Sequence, residues 1–369
     1  MLFGDNTTGL ILLLIFLIIF PMVMNQMLLR NVSRYVEEME KKVEEAEKLI
    51  IKMCKRKHSK ELKKFLEFFV AKPSRLDPHG IVKRFEKILN MSEKRFKEVA
   101  DKVLEDLDEE KKSNFIMALK STLSLKSTAK IIRHNLELAK KTKNFQILIA
   151  LQMNLNLIRR FFEAQFEGVK AFSKGLPVGD SAGVVVAGAL MDGNDDLKEM
   201  GDMVYTKKSI DGRNVIIVRS KGPGARIGRV GRVVTRLIDK NNIDHLIMID
   251  AAVKLEGEKT GSVAEGVGVV VGGTGVEKWL IENKITEKDI DVSSVIIKMS
   301  LEEAVSQMNK KILEGCKKAI KIVNKMIERY EKDSNILVVG VGNSSGIPNV
   351  VEDLSKIKIK EEVKNGNTK

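Results

Sequence analysis

From Gly175 onward, runs rich in valine and isoleucine alternate with helix-like segments. That alternation constrains the fold more than any other feature of the 369-residue chain. "NVIIVRS" (214–220), "HLIMIDA" (245–251), "GVGVVVGG" (266–273), "SSVIIKM" (293–299) and "NILVVGVGN" (335–343) read as buried strands. Helical patterns separate them at 182–192, 228–240, 276–284 and from about Leu301 to Lys332. Continuous apolar runs suit strands covered on both faces, and crossover helices supply that cover. The expectation is an α/β domain over 175–358 with a mostly parallel sheet and helices on both faces.

Residues 30–174 follow a different pattern, with glycine only at Gly80 and Gly168 and two prolines together in "AKPSRLDPHG". That short stretch reads as a break between two helical regions. In the first, Tyr35, Val36, Met39, Val43, Ala46 and Ile50 recur at intervals of three or four, which is the stripe of a helix. The second, 81–173, reads as four or five helices. Together they predict a juxtamembrane region and bundle that acts as a spacer, a contact between copies of the chain, or a protein-partner surface.

Before it, the chain is uncharged from Asn6 to Leu29 around "LILLLIFLIIFPMVM", close to the roughly 20 apolar residues that span a bilayer core. A cleaved signal peptide fits less well, because no basic n-region precedes the run and no small-x-small site follows it. Residues 8–29 are therefore expected to form a transmembrane helix, with the lipid bilayer as partner. Asp5 precedes it, and Arg30, Arg34, Lys41 and Lys42 follow it. By the positive-inside rule the N-terminus faces out and the bulk of the chain is cytoplasmic, a single-pass cell-membrane arrangement. The charged end, 359–369, is expected to be disordered.

The formal charge of +14 does not point to nucleic acid. Basic residues are interleaved with Asp and Glu, and aromatic residues make up only 5%. Cys54 and Cys316 stand far apart in helical contexts, so both read as reduced packing residues. The four histidines, 58, 79, 134 and 245, fall outside plausible strand-end loops. This argues against a Ser-His-Asp triad and a histidine-built zinc site; no metal is expected and no cofactor is indicated.

In open α/β sheets the site lies at the carboxyl ends of the strands. Asp250 stands at such an end, as a turn former, a cap or a working carboxylate; the Ala-Ala after it weakens the cap reading. Asp180, in "LPVGDSAGVVVAGALM", either caps the next helix or is held ionised at its N-terminus. A carboxylate pair at neighbouring strand ends forms an acid/base dyad or a metal site. "VRSKGPGARIGRVGRVV" offers a glycine-rich turn with Lys221, Gly222, Gly224 and Arg226 as a candidate anion site, without a Walker A lysine. Gly272, Gly273 and Gly275 in "GGTG", and Gly342 with Asn343 in "VGVGN", are further candidates for cradling an anion. Ser344 and Ser345 lack the G-x-S-x-G setting of a serine nucleophile.

"GDSAGVVVAGAL" resembles the segment of hydrogenase maturation endopeptidases and spore germination proteases in which an acidic residue opens the first helix. "HLIMIDAAVKLEGEKTGSV" resembles their "IDA" strand and the glycine turn behind it. The resemblance implies an active centre of Asp180 and Asp250. It also implies a circular permutation, because the GxGN strand that precedes the first acid in those families lies here at 335–343. No histidine matches the metal ligand of the hydrogenase enzymes, so the germination type, without metal, is the nearer analogue. The whole chain is similar to an archaeal membrane family known only as a domain of unknown function. The functional expectation is a membrane-anchored peptidase-like hydrolase using paired aspartates. The alternative is a non-catalytic tethered scaffold whose α/β domain holds an anionic ligand.

Overall fold

The computed structural model describes residues 4–53, 62, 65, 66, 81–104, 108–273 and 275–361. Four long helices come first: α1 (Gly4–Met53), α2 (Ile81–Val103), α3 (Glu109–Thr142) and α4 (Phe145–Ser173). Asp108 starts α3 by accepting the Lys111 N–H at 2.7 Å, and Asn144 starts α4 by accepting the Gln146 N–H at 2.9 Å. The periodic stripe of α1 is spent inside the chain: Tyr35, Val36, Met39, Val43 and Ala46 are buried against α3 and α4. A second cluster joins α2, α3 and α4 to Val178 and Ala225 of the following domain, so the two regions share a core.

Two expectations for this half are corrected. Among the described residues no helix is long and apolar enough to cross a membrane. The transmembrane helix at 8–29 is therefore set aside, and with it the single-pass placement, the outward N-terminus and the cytoplasmic bulk. The lipid contact read from that helix loses its basis. The side chains of 4–15, 18 and 21 lie outside the described residues. Asn25 and Gln26 interrupt the apolar run, and the same helix carries on through Arg30 into a charged stretch ending at Met53. The helix count also falls: 81–173 holds three long helices among its described residues. The break around 72–80 and most of the charged end, 362–369, lie outside the described residues.

The second half is a seven-stranded mixed sheet: β1 (Lys198–Met200), β2 (Met203–Ile210), β3 (Arg213–Ser220), β4 (His245–Val253), β5 (Val263–Val267), β6 (Asp291–Met299) and β7 (Asn335–Gly340). The order is β1-β2-β3-β7-β4-β6-β5, and the four central strands are parallel. β1, β2 and β5 join antiparallel at the edges. The last strand of the chain thus fills the middle of the sheet, between β3 and β4. Helices α5 (Ala182–Leu190) and α9 (Lys310–Arg329) cover one face. Helices α6 (Val230–Lys240) and α7 (Val276–Lys288) cover the other. A short α8 (Leu301–Val305) precedes α9, because Ser300 and Asn309 each cap a separate start. The β1–β2 hairpin is absent from the sequence reading. The run at 266–273, read as a strand, is mostly loop; the strand lies earlier, in Val263–Val267.

Candidate active site

The site follows from where β7 stops. β4 pairs with β7 only as far as Ile249↔Gly340, yet continues against β6 to Val253. Asp250 is therefore not the last residue of its strand. It is the first one past the end of the central partner, at a notch in the carboxyl edge. Along β4, Asp250 shares its face with Leu246 and Met248, which are packed under α6 and α7. Asp180 arrives from the other side, in a one-turn 3-10 helix (Gly179–Ser181) that leads into α5. The two residues approach the notch from opposite faces of the sheet, near enough for the charge of Asp180 to act on Asp250.

Asp180 does not cap its own helix. Its Oδ2 accepts the N–H of Asn343 at 3.0 Å, just beyond β7. This close approach requires glycine at 342, whose φ is +129° and whose added Cβ would lie 1.9 Å from the Asp180 carbonyl oxygen. Gly183 does the same for α5, since a Cβ there would lie 2.3 Å from the carbonyl oxygen of Ile249. Asp250 Oδ1 accepts the N–H of Ala251 at 2.7 Å, and the residue is only 6% exposed.

Electrostatics separates the two acids. Burial pushes the Asp250 carboxyl well above the usual carboxylate range, the charge of Asp180 pushes it further, and the amides of Ala251 and Gly272 oppose the rise. Burial also raises Asp180, while the Asn343 amide holds it down. The charge of Asp180 adds to the rise of Asp250, so ionisation of Asp250 is the more strongly opposed of the two. Like charges brought together in a dry site cannot both ionise readily.

The sequence-predicted anion site behaves differently. Lys221 pairs with Glu199 at 2.6 Å, and the Gly222 N–H donates to Asn349 Oδ1 at 2.8 Å. Arg226 donates to Glu110 Oε2 at 2.7 Å, and the Gly224 N–H donates to the same oxygen. The Ala225 N–H donates to Asn114 Oδ1 at 2.8 Å. The cradle does hold an anion, but it is a carboxylate of the chain's own α3. Sequence reasoning missed Glu110 because it lies over a hundred residues away in an ordinary charged helix start. Gly273 and Gly275 are exposed, at φ of 97° and 81°, on the approach to α7. Gly272 alone of that group touches the electrostatics of Asp250.

Ser344 and Ser345 are buried fasteners. Ser344 Oγ lies 2.6–3.1 Å from the carbonyl oxygens of Lys221, Gly224 and Arg226, and Ser345 Oγ donates to the Leu176 carbonyl at 2.8 Å. His245 sits at the opposite end of β4 from Asp250, stacked on Tyr330 at 3.8 Å. Arg219, also absent from the sequence reading, is fully buried, and its guanidinium donates to the carbonyls of Ser220, Ile347, Pro348 and Asn349. Among the described residues it has no carboxylate partner, and burial lowers its pKa to about 9. Among the described residues no group of three or more His, Cys, Asp and Glu stands together as a metal site.

The family model described as "Protein of unknown function (DUF1512) N-terminal domain" matches residues 6–175, and "Domain of unknown function (DUF1512) C-terminal" matches residues 178–348. The chain belongs to the DUF1512 family. The two matches meet between Gly175 and Val178, where α4 gives way to the turn carrying Asp180. No curated protein and no solved structure matches the chain at a significant level.

Proposed function

We propose that the chain is a peptidase-like hydrolase in which Asp180 is the general base and Asp250 the general acid. The observation that supports the reading is that Asp180 and Asp250 reach the β7 notch from opposite faces of the sheet, where the charge of Asp180 adds to the raised pKa of Asp250. In this reading water attacks a peptide carbonyl and gives a proton to the Asp180 carboxylate. The tetrahedral intermediate collapses as Asp250 gives its proton to the departing nitrogen. Proton transfer from Asp180 back to Asp250 resets the pair. Two acids with separated pKa values are what such a sequence requires.

The anionic-ligand alternative finds less support. Its central cation, Arg226, is committed to Glu110 and to the carbonyl of Glu109.

The test is hydrolysis of unstructured peptides by the full chain, alongside Asp250→Asn. Activity in the wild type that drops by about 100-fold or more in the variant agrees with a general acid. Equal cleavage by both proteins removes Asp250 from the chemistry. The working state needs Asp180 ionised and Asp250 protonated. The pH–rate profile should therefore be a bell displaced upward from the ordinary carboxylate value of 3.8.

A further inference from the structure

A cleft of about 290 Å³ lies beside the notch, between α2 and α3 on one side and the loops after β3 and β5 on the other. Gly272 and Gly273 form part of its wall, and the Gly272 amide also acts on the Asp250 carboxyl. The cleft therefore begins next to the proposed acid. Leu89 and Met117 give it apolar sides, while Lys120 of α3 brings an ammonium group.

The charges around this cleft are almost all spent. Lys97 is 3.6 Å from Asp202, Arg226 is bound to Glu110, and Arg229 lies 3.3 Å from Glu277. Among the described residues, Lys120 alone of these cations has no carboxylate within ion-pair distance. Its Nζ sits 5.4 Å over the Phe96 ring. Burial lowers its pKa, and only the more distant charges of Glu93 and Asp202 counter that. A half-buried ammonium with an aromatic face on one side and a cavity on the other lacks one negative charge.

We propose that this cleft is the specificity pocket of the hydrolase, and that it takes the carboxylate of a substrate peptide against Lys120. The proposal rests on the hydrolase reading for its catalytic half and on the cleft alone for its binding half. A single unneutralised ammonium matches a singly charged carboxylate. A phosphate, with nearly two charges and three acceptor oxygens, calls for a cluster of donors that the paired arginines do not supply. The apolar sides suit the methylene stem of glutamate, and the exposed glycine backbone at 272–273 leaves room for an extended chain leading to the notch.

The test is fluorescence anisotropy on the full chain with three labelled pentapeptides. One is an alanine peptide with a central glutamate and amidated end, the second has glutamine in its place, and the third is all alanine with a free terminal carboxylate. The glutamate peptide is expected to bind at least about tenfold tighter than the glutamine one, the scale of one charge-assisted contact. Lys120→Met should erase that preference, and Lys120→Arg should keep most of it. A preference shown only by the free-ended peptide assigns the pocket to a chain terminus, with the same dependence on Lys120. Equal binding of all three peptides, no binding, or a preference that survives Lys120→Met overturns the pocket. Glutamate preference without hydrolysis keeps the pocket and sinks the hydrolase reading; hydrolysis without preference does the reverse.

Discussion

Two places on the carboxyl edge of the same sheet handle charge in opposite ways. At the loop after β3, Lys221 and Arg226 each meet a carboxylate, and the Gly224 amide is satisfied by Glu110. At the β7 notch two buried carboxyl groups are both raised in pKa, and among the described residues no neighbouring cation offsets the rise. The first arrangement ties the helical region to the α/β domain. The second raises the cost of ionisation, and folded chains retain such arrangements where the chemistry uses them. Both places looked alike in sequence, as a strand running into glycines and charged residues. What distinguishes them is whether the charge is neutralised.

The largest effect that sharpens this contrast is catalytic. Asp180→Asn and Asp250→Asn should each lower peptide hydrolysis by about 100-fold or more, while Lys221→Ala leaves turnover within a few fold; kcat measurements on the purified full chain decide it. Next comes the tether. Glu110→Ala leaves Arg226, only 9% exposed, without its nearest carboxylate and strips the Gly224 N–H of its acceptor. It should cost about 2–3 kcal/mol in a denaturant titration. A change below about 0.5 kcal/mol would make the loop an ordinary turn and erase the contrast.

A smaller effect of opposite sign belongs to the notch. The folded pKa of Asp250 is raised above its unfolded value of about 3.8. Its contribution to stability is therefore fully present below that value and lost as pH rises through the folded pKa. Asp250→Asn should then stabilise the protein by about 1 kcal/mol at pH 8, and the gain should vanish at pH 3. Thermal melts at both pH values read it directly. Smallest of all is Cys316, buried under α5 with its thiol pushed up to about 12. It should resist thiol reagents in the folded chain and react only after unfolding.

Much of the α/β half was legible because buried parallel strands show as unbroken apolar runs; β3, β4, β6 and β7 lie close to where those runs stand. The β1–β2 hairpin was not, since "KEMGDMVYTKKSI" is an edge ribbon with one face in water and carries no such run. Asp180 and Asp250 could be read from their places at a helix start and near a strand end, although β4 runs three residues beyond Asp250. The tether could not, because Glu110 and Asn114 differ from neighbouring helix-surface residues only in what lies opposite them. Lys120 was hidden for the same reason. The membrane expectation rested on the local apolarity of 8–29, and among the described residues no helix is long and apolar enough to cross a membrane.

The central claim is that Asp180 and Asp250 form one coupled pair. It is tested most directly by carbon NMR titration of the aspartate carboxyl carbons in the full chain, with each signal assigned by substitution. The account predicts that Asp250 titrates well above 3.8 and falls measurably toward that value in Asp180→Asn, because part of its rise comes from the Asp180 charge. An Asp250 titration that is ordinary, or that does not move when Asp180 is replaced, would contradict the account.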